Sequence, residues 1–318
     1  MKSRALALLS GETTSIPEAE AKALFLAYDP GSRFETPEKR IVLVETEADP
    51  FRVSSRVAFS RRVGVLLDDP FDATEVVRGK RVRFRNFDLS PGLSPPDPES
   101  SMGRLEVKVD LKNPDYEITL VRGRKNYLVL TAPASMRQTW SHRRPRKRAY
   151  FHPSAIFPKL SRALVNLSRC REGQVFLDPF TGTGSIPIEA AEIGARVVAS
   201  DQVARMVAGS LANMKHFGQR WMGVLRADAY QHPLLRADAV ATDVPYGRAS
   251  STRGSGPREI VDRTLRSVAP MLRGGSRMVL MHSSRVAVEG TAEMEVEEEL
   301  QLYVHRLLTR TITIMRRT

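Results

Sequence analysis

One run of eight residues, Asp178-Pro179-Phe180-Thr181-Gly182-Thr183-Gly184-Ser185, constrains this chain more than any other. An apolar run, Val175 to Leu177, precedes it with the pattern of a buried strand. Ile186 to Ile193 follows with helical spacing. A strand that turns into a helix through two glycines sets a helix N-terminus at the carboxyl edge of a sheet. Gly182 and Gly184 allow a tight bend and let a ligand approach with no Cβ in the way. Ser185 is placed to cap the helix, with Pro187 and Glu189 in the first turn.

The residues that follow repeat the strand–helix alternation. Arg196 to Ser200 reads as a strand ending at Asp201, Ala204 to His216 as a helix, and Met222 to Leu225 as a strand before Asp228. Ala239 to Thr242 reads as a strand ending at Asp243, Glu259 to Met271 as a helix, and Arg277 to Met281 as a strand. Val296 to Val304 and Leu307 to Ile314 close the pattern as a β-pair, the acidic patch Glu293 to Glu299 being the solvated face of a strand. The alternation predicts a doubly wound α/β domain over residues 151–318, which binds ligands beyond the carboxyl ends of its strands.

Two kinds of cofactor use such a loop. A dinucleotide fold wants a third glycine where the helix packs on the strand, and here Pro187 holds that place. A pyrophosphate also gains nothing from the carboxylate of Asp178. S-adenosyl-L-methionine carries no phosphate but has a cationic ammonium and sulfonium, so an acid in the loop suits it. The expected cofactor is therefore S-adenosyl-L-methionine, held by Asp178, Phe180, Thr181, Gly182, Thr183 and Gly184. Asp201 is expected at the ribose hydroxyls, and Asp228 with its neighbour Ala229 at the adenine. Each of these aspartates alone reads equally well as a turn or capping residue; their order along successive strands favours the cofactor.

Asp243-Val244-Pro245-Tyr246 follows the fourth strand. The exocyclic amino group of a base is a poor nucleophile because its lone pair is delocalised into the ring. Hydrogen bonds from that amino group to the Asp243 carboxylate and to the Val244 carbonyl would turn the lone pair toward a methyl donor. Pro245 fixes the turn and Tyr246 offers a face for stacking the base. Catalysis would then rest mostly on positioning, with Asp243 able to take the released proton. The plainer reading, an ordinary turn of the Asp-X-Pro type, is disfavoured by its place after the fourth strand.

The first half reads as α+β. Ser15-Ile16-Pro17-Glu18 has capping-box spacing, opening a helix to about Tyr28 that Asp29-Pro30-Gly31 stops. Ile41 to Thr46 is β-rich, and Asp49-Pro50 opens a second helix ending near Ser60. Strands are expected near Val63–Leu67, Arg81–Phe87, Leu105–Asp110, Tyr116–Val121 and Tyr127–Leu130, with a loop over Leu89 to Gly103. Ala134 to Tyr150 reads as a linker that carries Arg143, Arg144, Arg146, Lys147 and Arg148 and no acid. Its charge suggests contact with an RNA backbone, against the alternative of a solvated linker.

Lys and Arg number 49 against 36 Asp and Glu, a net charge of +13, which draws the chain toward polyanions. The single cysteine, Cys170, makes no internal disulfide, and no Cys/His cluster suggests a metal. No run is long and apolar enough for a bilayer. A cytosolic protein with no membrane and no metal is expected; no partner protein is indicated.

The tetrad resembles that of the amino-methyltransferases. Phe151-His152-Pro153-Ser154, the helix through Leu167 and the glycine loop resemble the RNA methyltransferases that carry an N-terminal THUMP domain. Leu111-Lys112-Asn113-Pro114-Asp115 with the following hairpin looks like the end of that domain. The similarity is greatest to the archaeal tRNA guanine-N2 methyltransferases acting at guanosine 10, nearly throughout the C-terminal half and loosely over the first fifty residues. The resemblance implies a Rossmann-like class I methyltransferase domain over 151–318, a basic linker over 134–150, a THUMP domain over 51–133 and an α+β subdomain over 1–50. It places Phe151, His152 and Pro153 against the cofactor and makes tRNA the substrate, with N2-methylguanosine as product and N2,N2-dimethylguanosine as a further one. Val244 replaces a proline usual in that tetrad, and Thr181 a common cysteine; neither change removes a catalytic group. The competing readings are a non-catalytic RNA-binding protein that keeps the fold, and an amino-methyltransferase of DNA or protein.

Overall fold

A computed structural model describes residues 2–12, 15–68, 76–89, 107–133, 140–245, 256–305 and 308–318. The chain divides into two compact units, Met1–Glu12 with Leu24–Gln138, and Thr13–Ala23 with Thr139–Thr318.

The first unit is built on β1 (Ser3–Leu9), helix α1 (Ile16–Tyr28, only its last turns), β2 (Arg33–Glu38), β3 (Ile41–Thr46), helix α2 (Pro50–Ser54), β4 (Ser60–Leu67), β5 (Arg81–Asp88), β6 (Lys108–Val109), β7 (Tyr116–Arg122) and β8 (Asn126–Thr131). The strands form one sheet in the order β2-β3-β1-β4-β8-β7-β5-β6. Ala5 to Leu9 are all buried, as a strand with neighbours on both sides requires, and β1 pairs with both β3 and β4. Strands from either side of residues 50 and 51 share this one sheet. The helix opened by Asp49 is capped as anticipated, Phe51 N donating to Asp49 Oδ1 at 2.9 Å. It stops at Ser54, not near Ser60: Ser55 is its C-cap, and β4 has begun by Ser60. The strand expected over Leu105–Asp110 is reduced to Lys108–Val109 among the described residues. The loop expected over Leu89 to Gly103 lies, after Leu89, outside them.

The second unit is the doubly wound domain. Its elements are α3 (Pro158–Leu167), β9 (Val175–Asp178), α4 (Ser185–Glu192), β10 (Arg196–Asp201), α5 (Ala204–His216), β11 (Gly223–Arg226), β12 (Ala237–Asp243), α6 (Pro257–Val268), β13 (Leu272–Ser283), β14 (Met294–His305) and β15 (Leu308–Arg317). The sheet order is β11-β10-β9-β12-β13-β15-β14, parallel from β11 to β13, with β15 antiparallel beside β13. The chain steps outward from β9 to β11, then returns to β12 on the other side of β9. The crevice at that reversal, at the carboxyl ends of β9 and β12, is where such sheets hold ligands. One face of the sheet is sealed by Ile260, Val261, Leu265 and Val268 of α6, packed with Leu177, Val240, Met278 and Leu280.

The segment read as a basic linker is not a uniform solvated strip. Pro145–Lys147 forms a single 3-10 turn, and the described residues from Trp140 onward belong to the second unit. Arg144, Arg146 and Lys147 are exposed, but Arg143 and Arg148 are only 2% and 7% exposed. Arg143 Nε donates to Glu189 Oε1 on α4 at 2.7 Å, and Arg162 of α3 reaches the other oxygen of Glu189 at 2.9 Å. Arg148 donates to Ser185 Oγ and, at 3.0 Å, to the Ile156 carbonyl. The expectation that Arg143 and Arg148 touch RNA phosphates is therefore corrected: both turn inward because a buried carboxylate and two buried oxygens need their protons.

Glu189 is 1% exposed and pairs with two guanidiniums that are themselves buried. Removing one partner of such a group strands the others without water, at a cost of about 3–5 kcal/mol. Glu189→Gln is expected to lower unfolding free energy by that amount in urea titrations of the full chain. A loss below about 1 kcal/mol, the scale of an exposed pair, would show that the cluster carries little.

Candidate active site

The crevice between β9 and β12 opens into a cavity of about 570 Å³. Four carboxylates from the second unit line it: Asp178 at the end of β9, Asp201 at the end of β10, Asp228 after β11 and Asp243 at the end of β12.

The loop after β9 is shaped by glycines in the left-handed region, Gly182 at φ 51° and Gly184 at φ 82°. A side chain at Gly184 would also strike Ser210, whose Oγ lies 2.6 Å from the place of a Cβ. Gly184 itself, not Ser185, is the residue before the first helical turn. Ser185 serves as a fastener instead. Its Oγ accepts from Ile156 N at 3.1 Å and from Arg148, joining the segment before α3 to the start of α4. Burial holds Arg148 at about 10, below the usual arginine range, still charged at neutral pH.

Asp201 braces the loop from the next strand. Its Oδ2 accepts from Gly182 N at 3.0 Å and its Oδ1 from Val203 N at 2.9 Å, while Thr181 N donates to the Ser200 carbonyl at 2.8 Å. Burial pushes the Asp201 carboxyl up, and the two N–H donors pull it back down in part. Both hydrogen bonds to Asp228, from Tyr230 N at 3.0 Å and Gln202 Nε2 at 3.3 Å, fall on Oδ1. Asp228 thus caps the short turn that follows it and lines the cavity as well.

Asp178 is the most deeply buried of the four. Thr242 Oγ1 donates to its Oδ1 at 2.6 Å and Phe180 N at 3.2 Å. Desolvation outweighs these bonds and pushes the carboxyl up to about 7. Asp243 lies 3.6 Å from Nη1 of Arg310, which comes from the facing end of β15. Val244 N donates to the Met281 carbonyl at 2.9 Å and its side chain is buried in the core, so the turn after β12 is pinned to β13. Pro245 lines the cavity. Tyr246 lies outside the described residues.

Of the residues singled out in the sequence, His152, Asp178, Phe180, Thr181, Gly182, Thr183, Asp201, Asp228, Asp243, Val244 and Pro245 meet on the cavity wall. Phe151, Pro153, Gly184 and Ala229 do not. Phe151 and Pro153 face solvent, Gly184 turns toward Ser210, and Ala229 is buried behind the wall. Sequence reasoning missed Tyr230, Arg263 and Arg310. Tyr230 stands two residues beyond Asp228, and that proximity was a usable signal; Phe180 meets it edge-on at 6.3 Å and the Arg263 guanidinium covers its ring at 3.9 Å. Arg263 and Arg310 arrive from α6 and β15, and no local pattern marks them.

A parallel sheet with acids at four strand ends around one crevice, and an Asp-X-Pro turn on the fourth, defines a methyltransferase domain. The chain belongs to the UPF0020 family, described as an RMKL-like methyltransferase domain, whose pattern matches residues 145–311. It is 29% identical to the tRNA (guanine(10)-N2)-dimethyltransferase of Methanothermobacter thermautotrophicus, the match spanning 98% of this chain and 99% of that one. It is 28% identical to the enzyme of the same name from Pyrococcus abyssi, over 96% of this chain and 97% of the other. Among solved structures, TrmN from Thermus thermophilus shares the fold, with a TM-score of 0.51 at 20% identity over 99% of this chain and 100% of that one. Among the described residues no group of His, Cys, Asp and Glu is placed to hold a metal ion, and no helix is long and apolar enough to cross a membrane.

The raised value of Asp178 makes a statement about stability. The folded state holds its proton to about pH 7, whereas an exposed aspartate releases it near 3.8. Its contribution is full below about pH 4 and is lost as pH rises through about 7. A shift of that size corresponds to roughly 4 kcal/mol. In the ligand-free protein, the stability advantage of wild type over Asp178→Asn should shrink by a few kcal/mol from about pH 4 to about pH 8 in denaturant titrations. A pH-independent difference would show that Asp178 titrates as an ordinary carboxyl.

Proposed function

We propose that the chain transfers a methyl group from S-adenosyl-L-methionine to the exocyclic N2 amino group of a guanosine in tRNA, at guanosine 10. The products are N2-methylguanosine and, after a second transfer, N2,N2-dimethylguanosine. The observation that carries this reading is that Asp243 and the Val244–Pro245 turn share one cavity with Asp178, Asp201 and Asp228. The match to the archaeal relatives, nearly end to end, supports tRNA and the guanine N2 position.

The residues fit the cofactor. Asp178 is a buried carboxyl that burial above all, and then the nearby Asp201 and Asp243, keep from ionising fully, and a cationic ammonium beside it would favour its charged form. Thr181 Oγ1 is buried with no hydrogen-bond partner in the protein, which leaves a polar atom on the cavity wall for a ligand. Asp201 would take the ribose hydroxyls with its remaining lone pairs, Asp228 Oδ2 the adenine amino group, and the loop from Phe180 to Thr183 would lie along the amino-acid part. Bound there, S-adenosyl-L-methionine supplies an electrophilic methyl on a sulfonium.

The protein contributes mainly positioning. A paired guanosine must leave its helix to reach the cavity. The Asp243 carboxylate would accept one N–H of the guanine amino group and the Val244 carbonyl the other, turning the nitrogen lone pair toward the methyl. Asp243, with Arg310 3.6 Å away, would then take the released proton. Tyr246 is assigned to stacking on the base. The first unit, carrying a THUMP domain, and the exposed Arg144, Arg146 and Lys147 would hold the RNA backbone.

Labelled S-adenosyl-L-methionine should pass its methyl to tRNA and not to DNA or protein; label in either of the latter instead would reject the substrate. Asp243→Ala should lower transfer at least a thousandfold, the upper part of the roughly 10²–10⁴-fold range of a positioned proton acceptor, while cofactor affinity stays unchanged. Turnover near wild type would remove Asp243 from the mechanism.

Asp201→Ala affects the other side of the reaction. Loss of charge-assisted hydrogen bonds worth roughly 1.5–3 kcal/mol should weaken cofactor binding about ten- to a hundredfold in calorimetric titration. An unaltered cofactor affinity would leave Asp201 with loop bracing alone.

A further inference from the structure

One end of the sheet in the first unit gathers cations that the proposed active site does not use. The turn between β2 and β3 supplies Lys39 and Arg40, the turn between β7 and β8 supplies Arg124 and Lys125, and the start of β4 supplies Arg61. Arg124 N donates to Glu38 Oε2 at 3.1 Å, which brings the two turns together. At the centre stands Phe87 of β5. The Arg40 guanidinium lies 5.9 Å from the ring centroid and that of Arg61 5.1 Å, so both cations share one aromatic ring.

Two like charges held this closely oppose each other. Burial first, and Arg61 second, pull Arg40 below the usual arginine range. Arg40 Nε donates to the Leu9 carbonyl at 3.3 Å, while its Nη2 is screened from solvent and makes no hydrogen bond. Among the described residues neither guanidinium has an ion pair with a carboxylate. The nearby acids are engaged elsewhere: Glu38 by the 123–125 turn and Tyr127, and Asp88 by Arg122 at 2.6 Å. Arg40 also sits in the left-handed region at φ 74°, a conformation that favours glycine or asparagine. Backbone preference, charge repulsion and an idle donor all run against this arrangement in the free protein, and an anion between the two guanidiniums would offset the last two.

We propose that Arg40 and Arg61, supported on Phe87, form a phosphate clamp for the RNA backbone, flanked by Lys39, Arg124 and Lys125. Guanidinium forks match two phosphate oxygens at once. Free phosphate shares that chemistry, but cations spread along two turns suit a polyanion. The clamp rests on the tRNA reading above and adds to it a defined contact outside the second unit.

The test is tRNA binding by the full chain at several salt concentrations. Arg40→Gln/Arg61→Gln should lower the slope of log affinity against log salt by about 1.4–1.8, two phosphates at roughly 0.7–0.9 each. Arg61→Gln alone, at a position with ordinary backbone, should lower it by about half as much and guards against misfolding of the double variant. Arg4→Gln/Arg33→Gln removes two charges at the opposite end of the same sheet, where both residues face Glu45, and should leave the slope near wild type. Equal losses in the two double variants would overturn the clamp in favour of diffuse attraction. So would saturable binding of inorganic phosphate that Arg61→Gln abolishes while the tRNA slope stays unchanged. Wild-type protein that binds tRNA with a slope none of the variants alters sinks the clamp alone; wild-type protein that does not bind tRNA sinks the clamp and the tRNA reading together.

Discussion

The two hydrogen bonds that Asp201 accepts, from Gly182 N and Val203 N, set the geometry on which the rest of the site depends. A loop with two residues in the left-handed region has many ways to run, and glycines by themselves specify none of them. The Asp201 carboxylate ties the loop to the end of β10, and the bond from Thr181 N to the Ser200 carbonyl ties it again one residue away. The loop then hands over to α4 at Gly184, packed so closely on Ser210 that a Cβ there would strike its hydroxyl. Because the loop is braced from the neighbouring strand, the carboxyls of Asp178 and Asp201 face one cavity rather than two separate turns.

Behind the loop, a buried charge cluster fixes the other wall. Glu189 on α4 gathers Arg143 and Arg162, and Arg148 joins Ser185 to the Ile156 carbonyl. Packed apolar side chains could hold the same elements together as strongly. The ionic arrangement adds direction, because a guanidinium fork meets a carboxylate in few orientations. Arg143 and Arg148 therefore set where the segment before α3 enters the domain, and His152 and Ile156 reach the cavity as a result.

The doubly wound half was legible because its signals are local. Apolar runs that end in Asp178, Asp201 and Asp243 are the strands β9, β10 and β12, each a buried strand between helices. The left-handed φ at Gly182 and Gly184 is what two glycines after a strand imply. Other features were hidden for physical reasons. In the run Arg143 to Arg148, five cations look alike in sequence, and only Glu189 and Ser185, some forty residues away, decide which two turn inward. β2 is an edge strand of mostly polar, half-exposed residues, so it lacks the apolar alternation that marks a strand. The sheet pairing between β1 and β4 joins segments about fifty residues apart, and no local pattern marks it. Arg310 reaches Asp243 only because β15 folds back antiparallel beside β13, a pairing of distant strands that no spacing reveals.

The proposed chemistry converges on one nitrogen atom: the turn after β12 presents Asp243 to an exocyclic amino group, and that group is N2 of guanosine in tRNA. Mass spectrometry of nucleosides from an unmodified tRNA transcript, after incubation with the full chain and S-adenosyl-L-methionine, tests it most directly. N2-methylguanosine, followed by N2,N2-dimethylguanosine on longer incubation, and located at guanosine 10 by fragment mapping, is the predicted result. A methyl group on a ring nitrogen or on another base, or tRNA left unmodified by protein that has bound the cofactor, would contradict it.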